Sequence, residues 1–358
     1  MQPSLLWIHG LGVTSPLGDT AATTAAAVRA GVSRRRESAF INGNGDPMIT
    51  AEVPDSALPP LAPALAARAD LPPRHRRMLR LATHALREAT KDLAATDRVP
   101  LLLATPEPHP GLPAPAFTDT LLADLALQTG APLWLERSAL APPGRPGALA
   151  ALTAAAALLR DPAVDCVLVG GVDTYLDAGL LAQLDRERRV TAVGVRDGFA
   201  PGEGAAFVLL SGARERAGVR ARVTLSLPGL GHEPGHRHSD VPHRGDGLAD
   251  AVREALRGRP PASVPTVHAG LNGEHDGARA WAVAALRSSE ALAAGLRVEH
   301  PADCLGDAGA AMAPTAVALA AIGLEQRTLS APILLWCAAD GPLRAATILD
   351  DHPDDRSP

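Results

Sequence analysis

Two alanine-rich segments, Gly147 to Leu159 and Ala308 to Leu324, are apolar on every helical face. A helix of that kind is stable only when other layers cover it all round. Each is shorter than a bilayer span needs or is interrupted by Pro314, so the expected cover is protein. An apolar strand candidate follows each one, Asp165 to Val169 after the first and Ile333 to Cys337 after the second. One fully buried helix in each half predicts two similar halves packed face to face.

The rest of the chain fits that plan. In the first half, strands are expected at Leu5 to Ile8, Val99 to Ala104 and Ala205 to Leu210, and helices at Thr20 to Ala30, Arg74 to Leu93 and Phe117 to Thr129. The second half alternates in the same way: strand Val223 to Leu227, helix Gly247 to Arg257, strand Thr266 to His268, helix Asp276 to Arg287 and a last strand, Ala345 to Leu349. Continuous apolar strands alternating with helices imply an α/β fold with a mostly parallel sheet covered on both faces. The halves are expected at residues 1–215 and 216–358. Gly10-Leu11-Gly12 reads as a turn after the first strand, and Gly170-Gly171 as the stop of another.

Charge and cysteine usage narrow the function classes. A net charge of -5 argues against a nucleic-acid or anionic-membrane partner. Cys166, Cys304 and Cys337 are an odd count without zinc-ligand spacing, so neither a disulfide framework nor a structural metal is expected. No secretory leader is read at the N-terminus, and a reducing cytoplasm is the expected compartment. His232, His236, His238 and His243 crowd one stretch and read as a surface loop, with a zinc cluster as the alternative.

Four segments carry a family resemblance: Gly10-Leu11-Gly12-Val13-Thr14-Ser15-Pro16-Leu17-Gly18; Asp165-Cys166-Val167-Leu168-Val169-Gly170-Gly171; Arg196-Asp197-Gly198-Phe199-Ala200-Pro201-Gly202-Glu203-Gly204-Ala205; and Cys304-Leu305-Gly306-Asp307-Ala308-Gly309-Ala310. In this order they resemble the thiolase-fold β-ketoacyl synthases. The resemblance implies a five-layer αβαβα arrangement. It also implies a homodimer paired through the strand beside the nucleophile helix, here around Asp165 to Gly170.

Such enzymes use a cysteine at the head of the central helix, where the dipole and free amides favour a thiolate, together with two histidines. By the family's spacing those positions fall on Arg145, Ala269 and Asp303. The family's late gating loop corresponds to Ala339-Asp340-Gly341-Pro342. His268 stands one residue early, and on a strand that slip turns a side chain to the opposite face. Cys304, beside Asp303 and near His300, is the one thiol placed to replace the nucleophile; the plain alternative is a small residue packing a helix start. Arg145 could hold a carboxylate or phosphate, or be an ordinary arginine in a Pro/Gly loop. Glu274 and His275 follow an Asn272-Gly273 turn and read either as a remodelled pocket or as a solvated turn.

Together these imply a ketosynthase relative without the family's catalytic triad. It would act as a partner, scaffold or adaptor, in the manner of a chain-length factor or a secretion accessory, and would use no cofactor. A related subunit, an acyl carrier protein or a secreted effector is the expected partner. The alternative is an acyl-thioester-binding or acyltransferase protein of fatty-acid or polyketide type, with its nucleophile moved to Cys304 and His268, His275 or His300 as base.

Overall fold

The computed structural model describes residues 5–94, 96–113 and 117–353. Two sets of five strands follow the same plan. The first comprises β1 (Leu5–Thr14), β2 (Leu101–Ala104), β3 (Ala139–Leu140), β4 (Val167–Thr174) and β5 (Glu203–Ser211). The second comprises β6 (Val223–Ser226), β7 (Val264–Ala269), β8 (Leu292–Glu299), β9 (Ile333–Ala338) and β10 (Leu343–Asp351).

Across the first set the order is β1-β5-β4-β2-β3, and across the second β6-β10-β9-β7-β8. In each, the first and last strands run antiparallel to their neighbours, and the three outer strands are parallel. The two sets join where Leu5, Leu6 and Trp7 of β1 pair antiparallel with Ser226, Leu225 and Thr224 of β6.

Alternation along the strands builds the layers. Leu101 and Leu103 of β2 face outward, onto α1 (Pro73–Ala89) and α2 (Leu121–Thr129), while Leu102 and Ala104 face inward. On the inner side lie α3 (Gly147–Ala150), α4 (Leu152–Leu158) and α7 (Met312–Glu325). Ala148, Leu152, Ala313 and Val317 from these helices share one core with Val169 and Val208 of the first sheet and Ile333, Leu335 and Leu349 of the second. The outer face of the second set is covered by α5 (Asp246–Ala255) and α6 (His275–Arg287). The result is the five-layer α/β arrangement of two similar halves, with the alanine-rich helices in the middle layer.

Three local expectations are corrected. Gly10 and Gly12 lie inside β1, not in a turn; the turn comes at Ser15–Gly18. A Cβ on Gly12 would stand 1.8 Å from the Ala85 carbonyl oxygen, so glycine there lets α1 press on the strand. Gly170-Gly171 likewise does not stop β4, which runs on to Thr174; a Cβ on Gly171 would meet the Ala310 oxygen at 2.0 Å. The segment around Asp165 to Gly170 also cannot pair with another subunit. From Val167 onward it belongs to β4, whose two edges are already bonded to β2 and β5, leaving no free row of amides. The open edges among the described residues belong to β3, which is bonded only to β2 and exposes Leu140 at 47%, and to β8 at the far end, bonded only to β7.

Candidate functional site

The loops that follow β4, β7 and β9, together with the approach to α3, meet at one end of the sheets. Arg145 lies one residue before Pro146, the N-cap of α3, and is 5% exposed. Its guanidinium donates from Nε and Nη2 to Asp307 at 2.7 and 2.6 Å, from Nη1 to Asp340 at 3.1 Å, and from Nη2 to the Tyr175 hydroxyl at 3.2 Å. Phe199 underlies both Arg145 and Arg189, with guanidinium carbons 5.9 and 5.4 Å from the ring centre.

Arg189 extends the network. It forms a two-pronged pair with Glu274 at 2.8 and 2.9 Å and reaches Asp340 at 2.7 Å. Asn272 donates to Asp307 at 2.8 Å and to Glu274 at 3.2 Å, and Arg237 closes the mouth with bonds to Glu274 and Asp276. Glu107 accepts from the amides of Asp340 and Gly341 and so fixes the loop that carries Asp340.

Burial opposes the charge on Arg145, but Asp307 and Asp340 outweigh it and hold its pKa well above the ordinary arginine value. Burial likewise opposes ionisation of Asp340, and Arg145 and Arg189 outweigh it, keeping the carboxyl well below the carboxylate range. Glu107 is pushed up, first by burial and then by the charge of Asp340. Burial raises the Tyr175 phenol well above its ordinary value. An arginine so held can neither attack a thioester nor take up a proton. The cavity left beside it is about 50 Å³, lined by Arg145, Arg237, Asn272, Glu274, Asp340 and Arg344 among others. That is room for one or two waters, far below the roughly 300 Å³ at which small-molecule sites begin.

The other candidates lie elsewhere or are inert. Asp303 is 58% exposed and pairs with His300 at 2.8 Å and Arg35 at 3.6 Å, away from Arg145. Cys304 sits in a four-residue helix, Ala302–Leu305, and not at the head of α7. Between them the chain turns at Gly306 and is pinned by the backbone pairing of Asp307 with Ala200 and Gly202. Burial, Asp303 and Glu299 all raise the Cys304 thiol, against the activation expected there. His268 is buried on the face opposite to Ala269: Ala269 packs with the α5 and α6 layer, and His268 faces Leu319 and Ile322 of α7. Neither of its ring nitrogens has a partner, and burial lowers its pKa to about 4. His275 is exposed and pairs with Asp197 at 2.9 Å. Cys337 is the thiol beside Arg145 and Asp307, and burial pushes it up to about 12.

Sequence reasoning missed Arg189 and Asp307. Arg189 ends an arginine-rich stretch that reads as a solvated helix terminus. Asp307 carried a signal: it is the only charged residue between Leu305 and Thr315, in a run otherwise of small or apolar residues.

Residues 147–216 match the family profile of the β-ketoacyl synthase N-terminal domain. The chain has the thiolase fold of the ketosynthases. Solved structures that share this ketosynthase fold include the ishigamide ketosynthase/chain length factor, with TM-score 0.75 and 18% identity over 98% of this chain and 100% of that one. A ketosynthase in complex with its chain length factor from Xenorhabdus doucetiae has TM-score 0.75 and 16% identity over 97% and 98%. The apo form of a type II acyl-carrier protein complex with its ketosynthase has TM-score 0.75 and 16% identity over 98% and 100%. No curated protein sequence matches the chain.

Proposed function

We propose that this chain is a non-catalytic ketosynthase-fold subunit that works by pairing with a related ketosynthase, in the manner of a chain-length factor, and not by joining acyl units. One observation carries the reading. The head of the central helix holds a permanently charged guanidinium, neutralised by Asp307 and Asp340, and what remains beside it is about 50 Å³. Acyl transfer through an enzyme thioester needs a nucleophile there and space for the acyl chain. We place the degenerate nucleophile position at Arg145 and the first histidine position at Ala269. For the second histidine, Asp307, which touches Arg145, fits better than the exposed Asp303.

The open β3 edge leads into the loop that carries Arg145, so a partner docking there would lie directly behind the former catalytic position. The test is intact-mass analysis after incubation with acyl- and malonyl-thioesters, together with co-expression with a ketosynthase from the same genome. A stable complex and an unmodified chain are expected. A covalent acyl adduct on Cys304 would overturn the reading in favour of a relocated nucleophile.

A further inference from the structure

A second cleft, of about 360 Å³, lies on the outer layer of the second half, between the C-terminal ends of α5 and α6. The loop before β7 borders it, whereas the Arg145 network lies beyond the other end of that strand, about 20 Å away at roughly 3.3 Å per residue. Its polar lining is Arg253, Arg257, Arg259, Arg287, Ser288 and Glu290, four guanidinium groups against one carboxylate.

Each arginine has a carboxylate partner: Arg253 with Asp250, Arg257 with Glu254, Arg259 with Asp350, and Arg287 with Asp246. None of those partners lines the cleft. The Arg253, Arg257 and Arg287 pairs are largely exposed, and exposed pairs are weakly held and exchange readily for a better acceptor. Arg253 and Arg287 also complement the negative ends of their helices. That role does not account for Arg257 and Arg259, which lie past the end of α5.

Ser288 supplies the independent observation. It is 9% exposed and lines the cleft, and its hydroxyl has no hydrogen-bond partner. A buried hydroxyl without a partner is unusual in a folded protein.

We propose that this cleft binds a small phosphorylated molecule, with phosphate oxygens accepting from Arg257, Arg259 and Arg287 and, once the Ser288 side chain turns its now-sealed hydroxyl into the cleft, from that hydroxyl as well. Planar guanidinium forks match phosphate in two-pronged geometry, and the cleft falls within the size range of small-molecule sites, roughly 300–1,000 Å³. Its concavity favours a small ligand over a flat protein surface. The site is separate from the Arg145 network and stands whether or not the chain pairs with a ketosynthase.

Isothermal titration of the full chain with inorganic pyrophosphate at low salt tests the proposal. Saturable one-to-one binding is expected, weakened by about tenfold or more in Arg257→Gln/Arg287→Gln and severalfold in Ser288→Ala. The Ser288→Ala variant loses no native hydrogen bond, so it decides the matter if the double variant folds poorly. Absence of saturable binding, or binding undiminished in both variants (an adventitious ion only), overturns the proposal. Tighter binding of polyglutamate than of pyrophosphate overturns it in favour of an acidic protein partner.

Discussion

Replacing Arg145 by methionine removes the charge at the centre of the network while keeping much of the side-chain length. Asp307, whose side chain is fully buried, loses two bonds and keeps those from Asn272 and the Gly309 amide. Asp340 keeps Arg189 and Arg237. Breaking a buried ion pair on one side costs about 3–5 kcal/mol, because the remaining charge stays desolvated. With about 2.1 cal/mol/K of unfolding entropy per residue, 358 residues give about 0.75 kcal/mol/K, so the melting temperature should fall by about 4–7 °C.

The direction with pH is fixed by Asp340, whose carboxyl is held low by Arg145 and Arg189 in spite of burial. A depressed carboxyl stabilises the fold above the unfolded pKa of about 3.9, and that contribution fades as pH falls through the folded value. The deficit of Arg145→Met against wild type should therefore be largest near neutrality and shrink as the medium approaches pH 4 and goes below it. Melting followed by circular dichroism across that range reads both quantities. The double variant Arg145→Met/Asp307→Asn should recover part of the loss, since it also removes the orphaned charge. A single variant melting within about 1 °C of wild type at neutral pH would refute the reasoning, because a pair so buried cannot lose one partner without leaving the other charge desolvated.

Two further outcomes follow from the geometry. His268→Leu should flatten the acid side of the stability profile. The folded imidazole has its pKa lowered by burial to about 4, so its neutral form contributes fully above an unfolded pKa of about 6.5 and loses about 3 kcal/mol as pH falls to the folded value. Melting curves between those limits test this, and an unchanged slope would sink it. Leu140→Pro should abolish any subunit pairing across β3 by removing the amide that faces the open edge, while the bonds of Ala139 and Ala141 to β2 remain. Sedimentation of wild type and variant, alone and with the co-expressed ketosynthase, checks it; an unaffected complex would place the interface elsewhere.

Much of the fold was legible because burial writes itself into composition. The two helices apolar on all faces could sit only in a middle layer, and the repeated strand and helix order implied two matching halves. The glycines misled about local conformation. Gly12 and Gly171 signal close approach of a helix to a strand, and a one-dimensional pattern cannot distinguish that from a turn, because both forbid a Cβ.

The candidate site was legible at Arg145 and only faintly at Asp307. Arg189 and Glu107 come from separate stretches of chain, and nothing local marks either as buried, while Glu274, after the Asn272-Gly273 turn, read as a remodelled pocket or a solvated turn alike. Asp303 and Cys304 show the reverse error: spacing placed them at the head of the core helix, but the turn at Gly306 carries them to the surface.

The sequence by itself determined that the chain would form layers around two alanine-rich helices, because hydrophobic burial depends on which residues are present and on their period. Only the tertiary structure decided that acidic and arginine side chains from distant loops neutralise one another around Arg145, and that β3 is left as an open edge. Ion pairing and edge exposure depend on which segments meet in space. Those meetings are fixed by how the layers stack, and no stretch of chain records them on its own.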